Sequence, residues 1–259
     1  METLVVKFGG SVITRKKETS ALRPKVLARL AVELKNGWEK SGRPPLVVIH
    51  GAGSFGHPWA KKWALNRAPP GPRNGRGRGA AITGYHVRML HVEVLRALIE
   101  AGIPAQSFPP LTIALNDKGK FASLEISPFR EALARGTVPV SFGDAIQDTS
   151  WEFSILSGDT IMLELARRLP AKRAIFVSDV DGFLEPENML KVIPRVTEEA
   201  LGRLKADSKT PDVTGGIVGK AAKMVEMGAI GVHAGLINGL RVGRMERAAG
   251  GEDVYGSWT

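Results

Sequence analysis

The chain has 259 residues, 43% of them hydrophobic and 24% charged, with 36 Lys and Arg against 26 Asp and Glu and a formal charge of +10. This composition supports a sizeable core and argues against wholesale disorder, and no apolar stretch reaches the roughly 18 residues that a bilayer span needs. There is no cysteine, which excludes disulfides and thiolate metal sites.

The opening METLVVK has neither a basic leader nor a long apolar run, so the expectation is a cytoplasmic protein with no membrane partner. The positive balance fits a basic surface, a nucleic-acid partner or a multiply anionic substrate. Charge alone does not choose among them.

Residues 4–8 form a short apolar run that ends at Gly9-Gly10 and predicts a strand entering a turn. Val26, Leu27, Leu30, Ala31 and Leu34 share one helical face and predict a helix over 23–40. Residues 46–49 predict a second strand, running into the glycine-rich HGAGSFGHP. Val87, Leu90, Val94, Leu95 and Leu98 predict a helix over 85–101, with Gly102 as its stop. A strand over 138–142 ends at Gly143-Asp144, and a helix over 159–169 is closed by Pro170. A buried strand over 174–177 ends at Ser178-Asp179. A helix over 217–227 is ended by Gly228, and a late strand covers 232–237. Strands alternate with helices throughout, which predicts an α/β domain over 1–259 with a largely parallel sheet. The segment NRAPPGPRNGRGRG, 66–79, reads as a mobile surface loop with no regular element. Its arginines also suggest an RNA-contacting or anion-steering arm, although interleaved aromatics are lacking.

Four turns at strand ends or helix starts carry the chemistry: KFGGS, GAGSFGH, SGD and DVTGGIVGK. In an open parallel sheet, ligands bind at the carboxyl ends of the strands. Glycine there lets backbone amides approach an anion, and a following helix directs its positive end at it. None is a Walker A loop, because Thr214 and Ala221 break that pattern. Gly51, Gly53 and Gly56 match GxGxxG, but no acidic residue at the next strand end is placed to hold a ribose. Lysine-bearing turns facing each other suit phosphoryl transfer between two anionic groups. His50 ends its strand and is expected to pack or bond locally.

The ordered set from Lys7-Phe-Gly-Gly-Ser through His50-Gly-Ala-Gly-Ser, Gly143-Asp144, Ser157-Gly-Asp and Asp179-Val-Asp-Gly to Asp212–Lys220 resembles the amino acid kinase superfamily over nearly the whole chain. Within it, GGSVIT with Lys16 beyond, GSFGHP and DVTGG are most similar to the isopentenyl phosphate kinase branch. The resemblance implies an open αβα sandwich, ATP with Mg²⁺, isopentenyl phosphate as small-molecule substrate, an alternative mevalonate route, and a homodimer. It implies catalytic roles for Lys7, Lys16, His57 and Lys220. Lys7, Gly9, Gly10, Ser11, Asp179, Asp181, Gly216 and Lys220 are implied to hold the nucleotide, mainly with the part from about 170 to 259. Ala52, Gly53, His57, Ser157, Gly158 and Asp159 are implied to hold the acceptor, and no residue is assigned to ligate the metal. The acceptor oxygen of a phosphate monoester is largely ionised at pH 7, its second pKa being about 6, so no general base is needed and His57 is expected to donate a hydrogen bond. Ala52 stands where the family usually has glycine, which requires a negative φ there. The helix over 85–101 is the expected wall for the acceptor's tail. Two other readings are a kinase of another small phosphate or phosphonate, as in the fosfomycin-type relatives, and a non-catalytic basic relative that binds nucleic acid.

Overall fold

A computed structural model describes residues 2–69, 75–186, 188–207 and 216–259, apart from the side chain of Met189. Part of the DVTGG turn and of the Arg/Pro/Gly segment therefore lies outside the described residues. The first half runs β1 (Thr3–Phe8), α1 (Gly10–Ile13), α2 (Pro24–Lys40), β2 (Leu46–His50), α3 (Gly53–Lys62), α4 (Arg76–Glu100) and β3 (Ala105–Ser107). Next come β4 (Ala114–Asp117), β5 (Lys120–Leu124), α5 (Ser127–Ala134), β6 (Val138–Phe142), β7 (Asp144–Asp148), β8 (Glu152–Leu156) and α6 (Gly158–Arg168). The remainder is β9 (Ala171–Ser178), β10 (Leu184–Glu185), β11 (Asn188–Val192), α7 (Glu198–Asp207), α8 (Gly216–Ala229), β12 (His233–Asn238), α9 (Arg244–Ala249) and β13 (Gly256–Trp258).

The main sheet has the order β13-β12-β9-β1-β2-β6-β3, parallel except for β13. β1 is central because its residues are apolar toward both faces, as a strand covered on both sides requires. Leu4, Val6 and Phe8 join Leu30, Leu34, Leu90 and Val94 of α2 and α4 in one core. Val5 joins Ile161, Leu165, Met224 and Val225 of α6 and α8 in the other. Helices thus cover both faces, giving the expected αβα sandwich. After β1 the chain builds outward through β2 and β6, then returns to the other flank of β1 as β9. The order reverses at β1, and the carboxyl ends of β1, β2, β6 and β9 open on one crevice. No described helix is long and apolar enough to cross a membrane.

Three expectations need correction. The 85–101 helix begins at Arg76, so the end of the Arg/Pro/Gly segment is helical. The reason is tertiary. Arg76 is 3% exposed, and its guanidinium donates to the carbonyls of Phe153 at 2.9 Å, Arg67 at 3.2 Å and Leu65 at 3.3 Å. Gly79 lies flat against Trp63, where an added Cβ would stand 2.6 Å from Trp63 Cγ. The second correction is that GSFGHP is the start of α3 rather than a turn, with Gly56 packed onto Val87 of α4. The strand over 138–142 does end before Gly143, as expected. The chain continues into a second sheet, β5-β4-β7-β8, that the sequence reading missed. Third, the helix over 217–227 runs on to Ala229, past Gly228.

Alanine is the better helix former by about 1 kcal/mol, so Gly79→Ala would stabilise a free helix. Against Trp63 the new methyl is overpacked, at a cost of about 1–3 kcal/mol. The variant should unfold at a lower temperature than the parent in a thermal melt. An unchanged or raised midpoint would contradict the packing of the 76–79 turn on Trp63.

Candidate active site

The crevice holds a cavity of about 530 Å³ between the strand ends. Of the sequence-predicted residues, Lys7, Gly9, Gly10, Ser11, Lys16, Ala52, Gly53, His57, Ser157, Gly158, Asp159, Asp179, Gly216 and Lys220 all line it. The turns after β1 and β2 touch backbone to backbone. A Cβ on Gly51 would stand 2.6 Å from the amide nitrogen of Gly10, and one on Gly10 would strike the backbone of Gly53. Thr14 joins the two turns, its hydroxyl donating to Gly10 O at 2.6 Å and accepting from Ser54 N at 3.0 Å. Gly53 has φ of +49°, where a side chain would be strained. Ala52 has φ of −71° and ψ of −26°, so its methyl group costs nothing.

These close approaches leave amides facing the cavity. Gly10 and Ser11 open α1, Ala52 and Gly53 open α3, and Gly158 and Asp159 open α6. None of these six amides donates to a protein acceptor among the described residues. Ser157 caps α6 by accepting from Thr160 N at 3.1 Å, which fixes the direction of that helix. Unpartnered first-turn amides together with the helix dipole form a ready anion site.

The charged groups agree. Lys7, at the end of β1, reaches across Gly158 to Asp159 Oδ1 at 2.9 Å. Lys220 of α8 donates to both oxygens of the same carboxylate, at 3.0 and 2.9 Å. All three side chains are mostly buried. Burial alone would raise the pKa of Asp159, but the two ammonium groups outweigh it and hold the carboxyl far below the usual range. Burial, with the Lys7 charge beside it, pulls Lys220 down to about 8 despite Asp159. Two cations against one anion leave a net positive charge. Asp159, expected to hold the acceptor, has both its oxygens engaged by the two lysines. The Ser-Gly-Asp cap held the signal for this, since it sets a carboxylate in the first turn of a helix.

Lys16 stands at the rim and pairs with Asp179 Oδ2 at 2.7 Å. Asp181 is not brought into the cavity. It accepts from Arg244 at 2.5 Å and from Asn238 at 3.2 Å, and so ties β12 to α9. His57 lies in the first turns of α3 with an exposed ring at the cavity wall. His50 is buried, as expected. Its ring stacks on Phe142 and its Nε2 is 3.1 Å from His91 Nδ1. Burial and the His91 ring keep its pKa well below the usual histidine value.

The cavity walls also carry the apolar side chains of Ala60, Val87, Ile155 and Leu156, with the polar Thr83 and Asp144 among them. Val87 brings α4 to the cavity wall. The contribution of β8 came from the missed sheet, since no motif marks Ile155 or Leu156. Among the described residues no group of three acidic, histidine or cysteine side chains gathers to hold a metal. Of the carboxylates lining the cavity, Asp159 and Asp179 pair with lysines and Asp144 pairs with Arg88 at 3.0 Å.

Residues 2–237 match the family model described as the amino acid kinase family, and the chain belongs to that family. More particularly, it is similar to isopentenyl phosphate kinase of Methanothermobacter thermautotrophicus, at 36% identity over 98% of this chain and 97% of that one. Isopentenyl phosphate kinase of Thermoplasma acidophilum is 34% identical over 86% of each chain. A solved isopentenyl phosphate kinase superposes with a TM-score of 0.84 at 31% identity, covering all of both chains.

The lowered Lys220 pKa gives a signed prediction. Lys220 is cationic below about pH 8 and neutral above it. Affinity of the free protein for ATP, measured by calorimetric titration, should therefore fall as pH rises through 8. Stability moves the other way. An unfolded lysine keeps its proton to about 10.4, so the contribution of Lys220 to folding grows from pH 8 upward. ATP affinity that stays flat to pH 10 would contradict the assignment.

Proposed function

We propose that this protein transfers the γ-phosphoryl group of ATP to the phosphate of isopentenyl phosphate, giving isopentenyl diphosphate and ADP. The observation that carries the reading is a buried, net-cationic Lys7–Asp159–Lys220 group set between two glycine turns, with an apolar chamber on one side only. One anion needs no tail pocket, whereas a short prenyl monophosphate fills both the amide cradle and the chamber. An acceptor carboxylate, as in an amino acid kinase, would leave Ala60, Val87, Ile155 and Leu156 facing polar atoms. The relatives named above support the same substrate.

In this reading Gly10 and Ser11 hold the ATP phosphates through their amides, with Lys16 and Lys220 beside them. The amides of Ala52, Gly53 and Gly158 hold the acceptor phosphate, and His57 donates to it. An acceptor phosphate oxygen attacks the γ-phosphorus, the bond to the β–γ bridging oxygen breaks, and ADP leaves with that electron pair. Lys7 and Lys220 stay fixed by Asp159 while charge migrates between them, so they stabilise the transition state without reorganising. Mg²⁺, bound to the phosphate oxygens of the nucleotide, would supply further charge neutralisation. The part from about 170 to 259 contributes chiefly to the nucleotide, through Asp179, Gly216 and Lys220. A homodimer belongs to the same proposal, because Tyr85, Met89, Val92 and Ile99 form an exposed apolar stripe along α4.

The test is ATP consumption with Mg²⁺ and isopentenyl phosphate, fosfomycin, acetylglutamate or UMP as acceptor. Isopentenyl phosphate should give the highest kcat/KM by far. Lys7→Met should lower kcat on the order of 10²–10³-fold, as losing a fixed transition-state donor does. His57→Ala should weaken isopentenyl phosphate more than ATP. Preferred turnover of another acceptor would overturn the substrate. Light scattering should give twice the chain mass, and Val92→Asp should reduce it to one.

A further inference from the structure

Two buried histidines take no part in the transfer proposed above. His50 ends β2 with no exposed surface, and His91 of α4 is 4% exposed. Their rings belong to a chain of polar groups that starts at Ser107, on the edge strand β3, and ends on the backbone of the turn after β2. Ser107 Oγ lies 2.7 Å from His91 Nε2, and His91 Nδ1 lies 3.1 Å from His50 Nε2. His50 Nδ1 lies 3.2 Å from the carbonyl oxygen of Gly51.

The protons in this chain follow by elimination. A carbonyl oxygen only accepts, so His50 Nδ1 carries a hydrogen and donates to Gly51. Both rings are neutral at neutral pH. Burial, then the His91 ring, holds His50 well below the usual histidine value, and burial with the Arg88 charge brings His91 down to about 4. A neutral imidazole has one N–H, so His50 Nε2 accepts and His91 Nδ1 donates to it. His91 Nε2 then accepts from the Ser107 hydroxyl. Donation therefore runs in one direction, from Ser107 through both rings to Gly51.

That direction fixes a peptide plane. Gly51 N donates to Phe8 O at 2.9 Å, so β1 holds this residue at its amide while His50 holds it at its carbonyl. The peptide unit joining Gly51 to Ala52 is planar and trans, so its N–H points opposite to its C=O. With the carbonyl turned back to the His50 ring, the Ala52 amide faces the other way and has no protein acceptor among the described residues. Position 51 must be glycine for the turns to touch, since a Cβ there would stand 2.6 Å from Gly10 N. Glycine also tolerates the flipped peptide, which would present an oxygen to the cavity and repel an anion. We infer that His50 is a positioning residue for the acceptor: locked by His91 and Ser107, it holds the Gly51 carbonyl and so aims the Ala52 amide into the cradle. The inference rests on the reading that this amide holds the acceptor phosphate.

The first test is nitrogen-15 NMR of the histidine rings in the free, full-length wild-type protein. His50 and His91 should each show a protonated Nδ1 and a bare Nε2. A proton on Nε2 of His50 would overturn the inference. The second test is steady-state kinetics on variants shown to be folded by circular dichroism. His50→Phe keeps a ring against Phe142 but has no donor. It should raise KM for isopentenyl phosphate about tenfold, the scale of one hydrogen bond to a charged group, and leave KM for ATP unchanged. His50→Asn, whose Nδ2 can stand where Nδ1 stood, should recover most of that loss. Equal rises in both KM values, or no difference between His50→Phe and His50→Asn, would mean that His50 serves the fold alone. Should His50→Phe not fold, His91→Leu replaces it, because His50 then loses the donor that fixes its tautomer. The same one-sided rise should appear, and its absence would overturn the inference. Failure of isopentenyl phosphate as a substrate would show as absent wild-type turnover with these tautomers intact, so the two readings fail separately.

Discussion

Two buried ammonium groups sharing one carboxylate set the terms for the rest of this molecule. Taking ions out of water costs several kcal/mol each, and a lone Asp159 can compensate only part of the charge on Lys7 and Lys220. The arrangement persists because every member is fixed from a different direction. Lys7 comes from the central strand, packed on both faces. Asp159 comes from the first turn of a capped helix. Lys220 comes from α8, where its ammonium also lies 5.0 Å from the Phe176 ring centroid. In the proposed reaction, a migrating phosphoryl group neutralises the remaining positive charge.

Glycine serves this electrostatic core by removing bulk. Gly10, Gly51 and Gly53 let two strand ends touch, which brings the amides of α1 and α3 to one cavity. Gly158 leaves room for the Lys7 stem on its way to Asp159. Gly56 and Gly79 do something different: they let α3 and Trp63 lie against α4. One helix thereby carries both the chamber wall at Val87 and the exposed stripe proposed as a dimer contact. The same residue type thus makes anion sites in one place and helix contacts in another.

That double use explains what the sequence concealed. The alternation of strands and helices, the strand ends and the glycines and lysines of the cavity were legible, because a periodic apolar face and a glycine at a strand end each have a local cause. The helical start of α4 was not, because Arg76 is ordered by carbonyls of Leu65, Arg67 and Phe153, which are distant in sequence or out of local pattern. The second sheet was missed because polar residues such as Asn116, Asp144, Asp148 and Ser154 interrupt the apolar pattern of its strands. Ile155 and Leu156, which shape the chamber, lie on it. Asp181 resembled a nucleotide residue by motif, and the structure pairs it with Arg244 and Asn238 outside the cavity. Asp159 was recognised as a site residue, but its role needed the position of Lys220, 61 residues away in the chain.

The central claim is that Asp159 acts through the two lysines as one unit. A double-mutant cycle on kcat with Lys7→Met and Asp159→Asn tests it directly. The account predicts strong non-additivity: once Lys7 is gone, removing the Asp159 charge should cost far less than it does in the intact protein. If the two losses multiply as independent effects, Asp159 does not work by holding Lys7, and this description of the site is wrong.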